Sequence, residues 1–250
     1  MPARLPGRTA LVTGSTDGIG AAIAATLAAE GAHVIVTGRD AAKGEKIVAG
    51  ITEAGGAASF VAADLAGTAG VRDLADATRA IADGAPDILV NNAAMLIAPA
   101  PTAEIGADLI DAALAVNIKA AMLLTGLLAP EMAARGHGAI VNLGSINGLI
   151  GMAGSALYSA TKAAVHSLTK SWAAEYGPSG VRVNTVAPGP TVTEKTAALA
   201  GRIAPILDRA PSRRANGPDE VANAVAFLAS DEASSIHGAT LSVDGGLSAV

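Results

Sequence analysis

The chain has 250 residues, a formal net charge of −5 and no cysteine. This length allows one α/β domain whose core is large enough to fold without disulfides or metals, and the lack of cysteine excludes disulfide bonds, thiolate metal sites and a cysteine nucleophile. The few aromatic and scattered basic residues do not provide the basic stripe and stacking platforms of a nucleic-acid-binding protein.

Short apolar runs alternate with longer helical patterns along the chain. We predict strands at Thr9–Thr13, Val34–Thr37, Ala58–Ala62, Asp87–Asn91, Ala139–Leu143, Val181–Val186 and Thr240–Val243. We predict helices at Ile19–Glu30, Ala41–Ala54, Val71–Ala82, Ala103–Ala134 (one helix or two abutting ones), Ala156–Tyr176 and Pro218–Ser230. This alternation predicts a single α/β domain over residues 1–250, a doubly wound parallel sheet (Rossmann fold) of about seven strands with helices on both faces.

One segment, Pro190–Asn216, has no clear periodicity apart from a modest helical pattern at Thr196–Leu207. A loop of this length inside a compact domain is usually functional. We therefore predict that it forms a lid over the substrate, and a plain surface excursion is the alternative.

The positive mean hydropathy raises the question of a membrane span. The longest stretch without Asp, Glu, Lys or Arg, residues 136–161, contains glycines and several polar side chains, whereas a spanning helix needs about 20 predominantly apolar residues. The N-terminal residues do not fit the pattern of a signal peptide. We expect a cytoplasmic protein that neither spans a membrane nor binds nucleic acid.

A glycine-rich turn joins the first predicted strand to the first predicted helix, with the sequence Thr13-Gly14-Ser15-Thr16-Asp17-Gly18-Ile19-Gly20. Glycines let the backbone turn tightly and let a phosphate approach the amides, and the helix N-terminus adds free N–H donors. The place of the turn between the first strand and the first helix favours dinucleotide binding over an ordinary loop.

The end of the second predicted strand indicates which cofactor is bound. An NAD enzyme has a carboxylate there that bonds the ribose hydroxyls, whereas this chain has Gly38 followed by Arg39. A guanidinium pairs well with a 2′-phosphate, although Asp40 follows Arg39 directly and the glycine turn carries another carboxylate, Asp17. NADP(H) is therefore favoured, and NAD(H) is the alternative.

Four further residues resemble a known catalytic set. Tyr158 and Lys162 are four residues apart in a predicted helix, so their side chains share one face, and Ser145 and Asn117 precede them. With the glycine turn, this pattern resembles the TGxxxGxG and YxxxK motifs of the short-chain dehydrogenase/reductase family over essentially the whole chain. The resemblance implies hydride transfer between a nicotinamide cofactor and a small-molecule ketone or secondary alcohol, including 3-oxoacyl substrates.

The resemblance also implies a role for each member of this set. Tyr158 is the general acid/base, and we expect the nearby Lys162 ammonium to lower the pKa of the phenol. Ser145 holds the substrate oxygen, and Asn117 anchors a water that relays protons to Lys162. A homotetramer is implied as well, with the helices around Asn117 and Tyr158 pairing across one axis and the C-terminal strand across another.

The implied binding residues fall into a cofactor set and a substrate set, and no metal site is expected. The cofactor set is Gly14, Ser15, Thr16, Asp17, Gly18, Ile19, Gly20, Gly38, Arg39, Asp64, Leu65, Asn91, Ala93, Tyr158, Lys162, Pro188, Gly189, Thr191 and Thr193. The substrate set is Ser145, Asn147, Met95 and Met152, with Leu96 and Leu149 as further apolar lining. Ala94 replaces the last glycine of the family's NNAG motif, and we expect its methyl group to shift the local backbone.

Two alternatives remain at this stage. An epimerase or dehydratase on the same fold would use the same cofactor site without net reduction of a ketone. A non-catalytic dinucleotide-binding protein would not need a tuned phenol, so the presence of Ser145, Tyr158 and Lys162 favours an enzyme.

Overall fold

The computed structural model describes residues 3–197 and 200–250. In this part of the chain seven strands form one sheet in the order β3-β2-β1-β4-β5-β6-β7. The strands are β1 (Thr9–Val12), β2 (His33–Gly38), β3 (Ala57–Ala62), β4 (Ile88–Asn91), β5 (Gly138–Leu143), β6 (Val181–Pro188) and β7 (Thr240–Val243). Every neighbouring pair is parallel, which confirms the predicted doubly wound sheet.

The helices occupy nearly all of the predicted stretches. They are α1 (Gly18–Ala29), α2 (Ala41–Glu53), α3 (Thr68–Ala82), α4 (Ala107–Leu114), α5 (Ala120–Arg135), α6 (Ala156–Tyr176), α7 (Glu194–Ala197), α8 (Ala200–Leu207) and α9 (Pro218–Ala229). The pattern predicted at Thr196–Leu207 corresponds to the end of α7 and to α8, and its residues 198 and 199 lie outside the described residues.

The long helical stretch predicted at Ala103–Ala134 is neither a single regular helix nor two separate ones. It begins later, at Ala107, and a π-helical segment, Ala115–Lys119, joins α4 to α5. Such π-bulges are rare and occur frequently at functional sites. This one contains Asn117, whose side chain is buried.

The stretch Ala107–Arg135 is also long and apolar enough to cross a membrane, judged by length and composition alone, with a mean hydropathy of 1.8 in its 18-residue window. Leu124, Leu128 and Met132 lie fully buried in the core against the sheet. A helix that packs on a sheet needs such an apolar stripe, so packing in the core explains the apolar residues on this side of the helix.

The sheet separates two hydrophobic clusters, because successive side chains along a strand point to opposite faces. In β1, Ala10 and Val12 belong to the cluster beneath α1 and α9, while Leu11 belongs to the cluster beneath α3, α5 and α6. The connection after β1 therefore leaves on one face, and the connection after β4 leaves on the other. In a doubly wound sheet this reversal opens a crevice between the carboxyl ends of the two strands, where ligands bind.

A buried arginine fastens α9 to the sheet. Arg182 on β6 is 9% exposed, and its guanidinium donates hydrogen bonds to the carbonyl oxygens of Leu228, Ala229, Ser230 and Ala233 at 2.6–3.2 Å. Burial lowers the pKa of this guanidinium. The charge is nevertheless well placed, because the last carbonyls of a helix lack backbone partners and carry the negative end of its dipole.

We expect Arg182→Met to lower the free energy of unfolding by about 2–4 kcal/mol, since it removes charge-assisted hydrogen bonds and leaves buried carbonyls without donors. The measurement is urea denaturation followed by circular dichroism. Arg72→Met is the matched control, because Arg72 lies exposed on α3 and surface changes are usually within about 0.5 kcal/mol. Equal losses in the two variants would contradict the role of Arg182.

Candidate active site

A cavity of about 1020 Å³ opens at the carboxyl ends of the strands, over the crevice between β1 and β4. Most of the predicted site residues line it. These are Gly14, Thr16, Asp17, Gly18, Ile19, Gly20, Gly38, Arg39, Asp64, Leu65, Ala93, Met95, Ser145, Asn147, Met152, Tyr158, Lys162, Pro188, Gly189, Thr191 and Thr193. The cavity therefore brings the glycine turn, the Ser–Tyr–Lys set and the segment after β6 into one space.

Ser15, predicted to bind the cofactor, is instead a structural residue of the turn. Its side chain is fully buried and lies outside the cavity lining. The Ser15 hydroxyl donates to the carbonyl oxygen of Val12 at 2.6 Å and accepts the Thr37 N–H at 3.0 Å. The prediction for Ser15 is wrong because this side chain points into the protein and ties the end of β1 to β2.

Asn91 departs from its predicted place in the same way. Its Nδ2 donates to Asn142 Oδ1 at 2.8 Å and to Thr125 Oγ1 at 3.2 Å, so the side chain links β4 to β5 and α5 beneath the site. Asn91 is buried and does not line the large cavity. The first asparagine of the motif therefore supports the sheet rather than the cofactor.

The second asparagine, Asn92, lines the cavity and was absent from the predicted set. Its Nδ2 donates to the carbonyl oxygens of Thr13 and Gly14 at 2.8 and 3.0 Å, which holds the glycine turn closed. A Cβ atom on Gly20 would lie 2.2 Å from the Gly14 oxygen and 2.5 Å from this Nδ2. Close packing against Asn92 therefore requires glycine at position 20.

The backbone shift expected at Ala94, where the family motif has glycine, stays a prediction. Among the described residues other than glycine, a positive φ occurs at Asp83 and Arg213. Ala94 thus has a backbone conformation that any residue adopts, and its methyl group is accommodated in the cavity wall.

The contacts at the end of β2 explain why residue 38 is a glycine. A Cβ atom on Gly38 would lie 2.6 Å from Thr16 Cγ2 and 2.9 Å from Thr16 Oγ1, so Thr16 fills the space where an acidic side chain would start. Arg39 is exposed and lines the cavity beside Thr16. The neighbouring Asp40 caps α2, because its Oδ1 accepts the Lys43 N–H at 3.1 Å.

Ser145 lies two residues beyond the end of β5, which ends at Leu143 as predicted. Its hydroxyl oxygen accepts the backbone N–H of Asn147 at 3.2 Å. Its own backbone N–H donates to Nε2 of His166 at 3.3 Å. A hydroxyl has one donor proton besides its two acceptor lone pairs, so Ser145 can accept this bond and also donate to a substrate oxygen in the cavity.

Tyr158 and Lys162 lie on one face of α6, as predicted, with the Lys162 Nζ 5.7 Å from the centroid of the Tyr158 ring. This Nζ donates to the carbonyl oxygen of Leu143 at 2.7 Å, which fixes the ammonium at the end of β5. The segment after β5 and the first turns of α6 therefore position Ser145, Tyr158 and Lys162 together.

The pKa of Tyr158 shifts in the direction opposite to the expected one. Burial raises the pKa of Tyr158 to about 12, and the hydrogen-bonding influence of Ser145 opposes this by a smaller amount. Burial lowers the pKa of Lys162 to about 8. The predicted lowering of the Tyr158 pKa by Lys162 is wrong, because the removal of the phenol from water has the largest effect on this pKa and raises it.

Asn117 is close to the catalytic residues but does not line the large cavity. Its Oδ1 accepts the N–H of Met95 at 2.6 Å, and its Nδ2 donates to the Met95 carbonyl and to Thr161 Oγ1, both at 3.2 Å. The side chain thus holds the loop after β4 against α6. Asn117 and Lys162 also line a second cavity of about 10 Å³, which is about the volume that one water molecule needs.

The substrate end of the cavity is mainly apolar. Met95 and Met152 line it as predicted, together with Leu96, Ile97, Pro99, Ile146, Ala153 and Ile206. The charged residues of the lining other than Lys162 are Asp17, Arg39, Asp40 and Asp64, and these lie at the glycine-turn end. Leu149, also expected here, is 47% exposed and lies outside the described lining.

The two ends of the predicted lid segment are hydrogen-bonded to each other. Thr191 pairs with Asn216 in an isolated parallel bridge, and the N–H groups of Val192 and Asn216 donate to the carbonyl oxygens of Asn216 and Pro190 at 3.0 and 2.8 Å. Between these ends, Ile206 of α8 lines the cavity.

Comparisons with known proteins agree with this geometry. A family model described as Enoyl-(Acyl carrier protein) reductase matches residues 14–248. The chain is also similar to a cis-4-hydroxycyclohexanecarboxylate dehydrogenase of Sinomonas cyclohexanicum, with 43% identity over 246 residues, 97% of this chain and 97% of that protein.

Two solved structures have the same fold over their whole length. One, described as a short chain dehydrogenase/reductase family protein, is 46% identical with a TM-score of 0.90, covering 99% of this chain and 100% of the other. The second, a putative NAD(P) dependent gluconate 5-dehydrogenase from Beutenbergia cavernae with bound NADP, is 41% identical with a TM-score of 0.94 and full coverage of both chains. The chain therefore belongs to the short-chain dehydrogenase/reductase family and is a nicotinamide-dependent oxidoreductase that transfers a hydride between an alcohol and a ketone.

Proposed function

We propose that this oxidoreductase reduces a neutral, mostly apolar ketone with NADPH, and that Ser145, Tyr158 and Lys162 carry out the proton transfer. The observation that carries the proposal is the shared cavity, in which the Ser145 and Tyr158 side chains and the glycine turn all line one space. The apolar lining at the substrate end favours a neutral substrate, because it is costly to bury a charge among apolar side chains.

The residues of the cavity fit a dinucleotide cofactor. The first turn of α1 begins at Gly18 in the cavity wall, and the first N–H groups of a helix have no acceptor within it, so they bind a pyrophosphate. Asp64 would hold the adenine, Thr193 the nicotinamide carboxamide, and Lys162 the ribose hydroxyls. The cofactor supplies the hydride when it is bound.

The chain's own residues supply the proton and stabilise the charge. The Tyr158 hydroxyl donates its proton to the ketone oxygen, and the Ser145 hydroxyl donates a hydrogen bond to the same oxygen as negative charge develops there. The Lys162 ammonium, held by the Leu143 carbonyl, stabilises the phenolate that remains. A phenol with a raised pKa keeps its proton at neutral pH, which suits an acid in the direction of reduction.

The preference for NADPH rests on the end of β2. Arg39 and Thr16 both line the cavity there, and a guanidinium with a hydroxyl suits a 2′-phosphate. The carboxylate of Asp40 is held by the N-terminus of α2, which reduces its repulsion of a phosphate. The NADP-bound structural relative supports this assignment, and NAD(H) remains the alternative cofactor.

Further parts of the proposal concern the lid, the assembly and the substrate. Residues 190–216 act as a lid over the substrate, and this assignment is supported by Ile206 of α8, which lines the cavity. A homotetramer, a cytoplasmic location and a single domain over residues 1–250 stay predictions, as does the 3-oxoacyl type of substrate. The epimerase, dehydratase and binding-only alternatives differ from this proposal in one respect, since none of them carries out the net reduction of a ketone.

We expect Tyr158→Phe to lower kcat/KM for ketone reduction by about 10²–10⁴-fold, the usual contribution of a general acid, while NADPH still binds. The measurement is NADPH oxidation in the presence of a panel of neutral ketones, with cofactor affinity measured by fluorescence. Tyr176→Phe is the matched control, because this second tyrosine ends α6 and lies outside the described cavity lining. Unimpaired reduction by Tyr158→Phe would refute the mechanism.

We expect kcat/KM for reduction to fall as the pH rises through about 8. Lys162, with its pKa lowered to about 8, carries its charge below that pH and loses it above. Tyr158, with a pKa raised to about 12, stays protonated throughout this range. Lys170→Met should keep the wild-type profile, since Lys170 is exposed, and a flat wild-type profile between pH 7 and pH 9 (roughly one unit on each side of this pKa) would contradict the role of Lys162.

We expect Arg39→Ala to reduce the preference for NADPH over NADH by about tenfold or more, as for the loss of one charge-assisted hydrogen bond. The preference is the ratio of kcat/KM values for the two cofactors. Lys43→Ala is the control, because Lys43 is a nearby exposed cation outside the described lining. An unchanged ratio in Arg39→Ala would remove Arg39 from phosphate recognition.

We expect Gly38→Asp alone to weaken binding of both cofactors, because its Cβ atom would lie 2.6 Å from Thr16 Cγ2. The double variant Gly38→Asp with Thr16→Ala should recover NADH binding, since the methyl and hydroxyl of Thr16 are removed. Titration of each variant with NADH and NADPH checks this. Tight NADH binding by Gly38→Asp alone would show that Thr16 does not occupy this space.

A further inference from the structure

His166 contacts the catalytic region without belonging to the residues assigned above. It lies on α6, four residues after Lys162, and is 6% exposed. Its Nε2 accepts the backbone N–H of Ser145 at 3.3 Å. Because a backbone amide can only donate, Nε2 must be the unprotonated nitrogen, and the ring proton lies on Nδ1.

The chain around His166 is shaped to receive the ring at this point. A Cβ atom on Gly144 would lie 2.2 Å from His166 Nε2 and 2.7 Å from its Cδ2, so the absence of a side chain before Ser145 allows the approach. The Nδ1 atom is buried and has no hydrogen-bond partner among the described residues. Within the described part of the chain, the contact with Ser145 is thus the one hydrogen bond of this ring.

The ring also stays neutral, which the acceptor role requires. Burial, with the positive charges of Lys162 and Lys170, lowers the pKa of His166 to about 4. Protonation would remove the Nε2 lone pair and place a cation beside the Lys162 ammonium. Above about pH 5, roughly one unit over this pKa, the imidazole therefore remains an acceptor for the Ser145 amide.

Ser145 is consequently held at three points, one of which is its carbonyl oxygen, the acceptor of the Gly148 N–H at 3.0 Å. His166 fixes its backbone N–H, and the Asn147 amide fixes its hydroxyl oxygen. We propose that His166 is a positioning residue, which holds Ser145 so that the serine hydroxyl points at the substrate oxygen. This inference rests on the proposed role of Ser145 in ketone reduction.

The first test asks whether position 166 needs a hydrogen-bond acceptor where Nε2 lies, or only a side chain that fills the space. His166→Gln places its amide oxygen near the position of Nε2, whereas the shorter His166→Asn does not reach the Ser145 amide, and His166→Leu has no acceptor. We expect the His166→Asn and His166→Leu variants to have a kcat for ketone reduction about tenfold lower than the wild type, as for the loss of one neutral hydrogen bond. His166→Gln should recover most of this kcat, with the KM for NADPH unchanged in all three.

A second histidine supplies the control for the loss of a hydrogen-bonded imidazole. His33 on β2 bonds Ser59 through Nε2 at 2.9 Å and does not line the cavity in the described structure. We expect His33→Leu to leave kcat unchanged. If His166→Leu fails to fold, the Gln and Asn variants still decide the question, because both are amides that differ in reach.

The decisive measurement is a double-mutant cycle with Ser145→Ala. If His166 acts through Ser145, His166→Leu should reduce kcat about tenfold in the wild type but by less than about twofold in the Ser145→Ala background. The same tenfold loss in both backgrounds would indicate a merely structural role and overturn the inference. Equal kcat for the Gln and Asn variants would overturn it as well.

The same cycle distinguishes failure of this inference from failure of the proposed function. If Ser145→Ala retains the kcat of the wild type, the proposed role of Ser145 is wrong, and the inference about His166 falls with it. If Ser145→Ala is impaired while His166→Leu is not, the role of Ser145 stands and only the positioning by His166 is refuted.

Discussion

The attachment of α6 to the three residues at the end of β5 is the constraint on which the site depends. The Leu143 carbonyl accepts the Lys162 ammonium at 2.7 Å, Gly144 leaves room for the His166 ring, and the Ser145 amide donates to that ring. Lys162 and His166 are one turn apart on α6, and they bind Leu143 and Ser145, the residues on either side of Gly144. This register fixes Ser145, Tyr158 and Lys162 relative to one another before any ligand binds.

The cofactor end of the cavity depends on a similar contact between neighbouring strands. The amide of Asn92, just after β4, bonds the carbonyl oxygens of Thr13 and Gly14 after β1, and Gly20 packs against it without a side chain. The glycine turn is therefore shaped by the strand next to it as much as by its own sequence. Because β1 and β4 lie where the sheet reverses direction, both halves of the site open on one crevice.

The sequence alone predicts the parallel sheet, the bounds of α6 and β7 and most of the cavity lining. It does not predict which side chains of a motif face the cavity, since neighbours along an extended backbone point in opposite directions. Ser15 and Asn91 therefore point into the protein, while Asn92 lines the site. The pKa of Tyr158 depends on its burial, and the contact of His166 depends on tertiary packing against Gly144, so neither follows from motif spacing.

The central claim is that the cavity transfers a hydride to a neutral ketone. Deuterium transfer tests this most directly: NADPH labelled with deuterium at the transferring C4 position is incubated with the enzyme and a panel of alicyclic and aliphatic ketones, and the products are examined by mass spectrometry. The account predicts one deuterium on the carbinol carbon of at least one neutral ketone. Tight NADPH binding without deuterium transfer to any ketone would contradict it and favour an epimerase, a dehydratase or a binding protein.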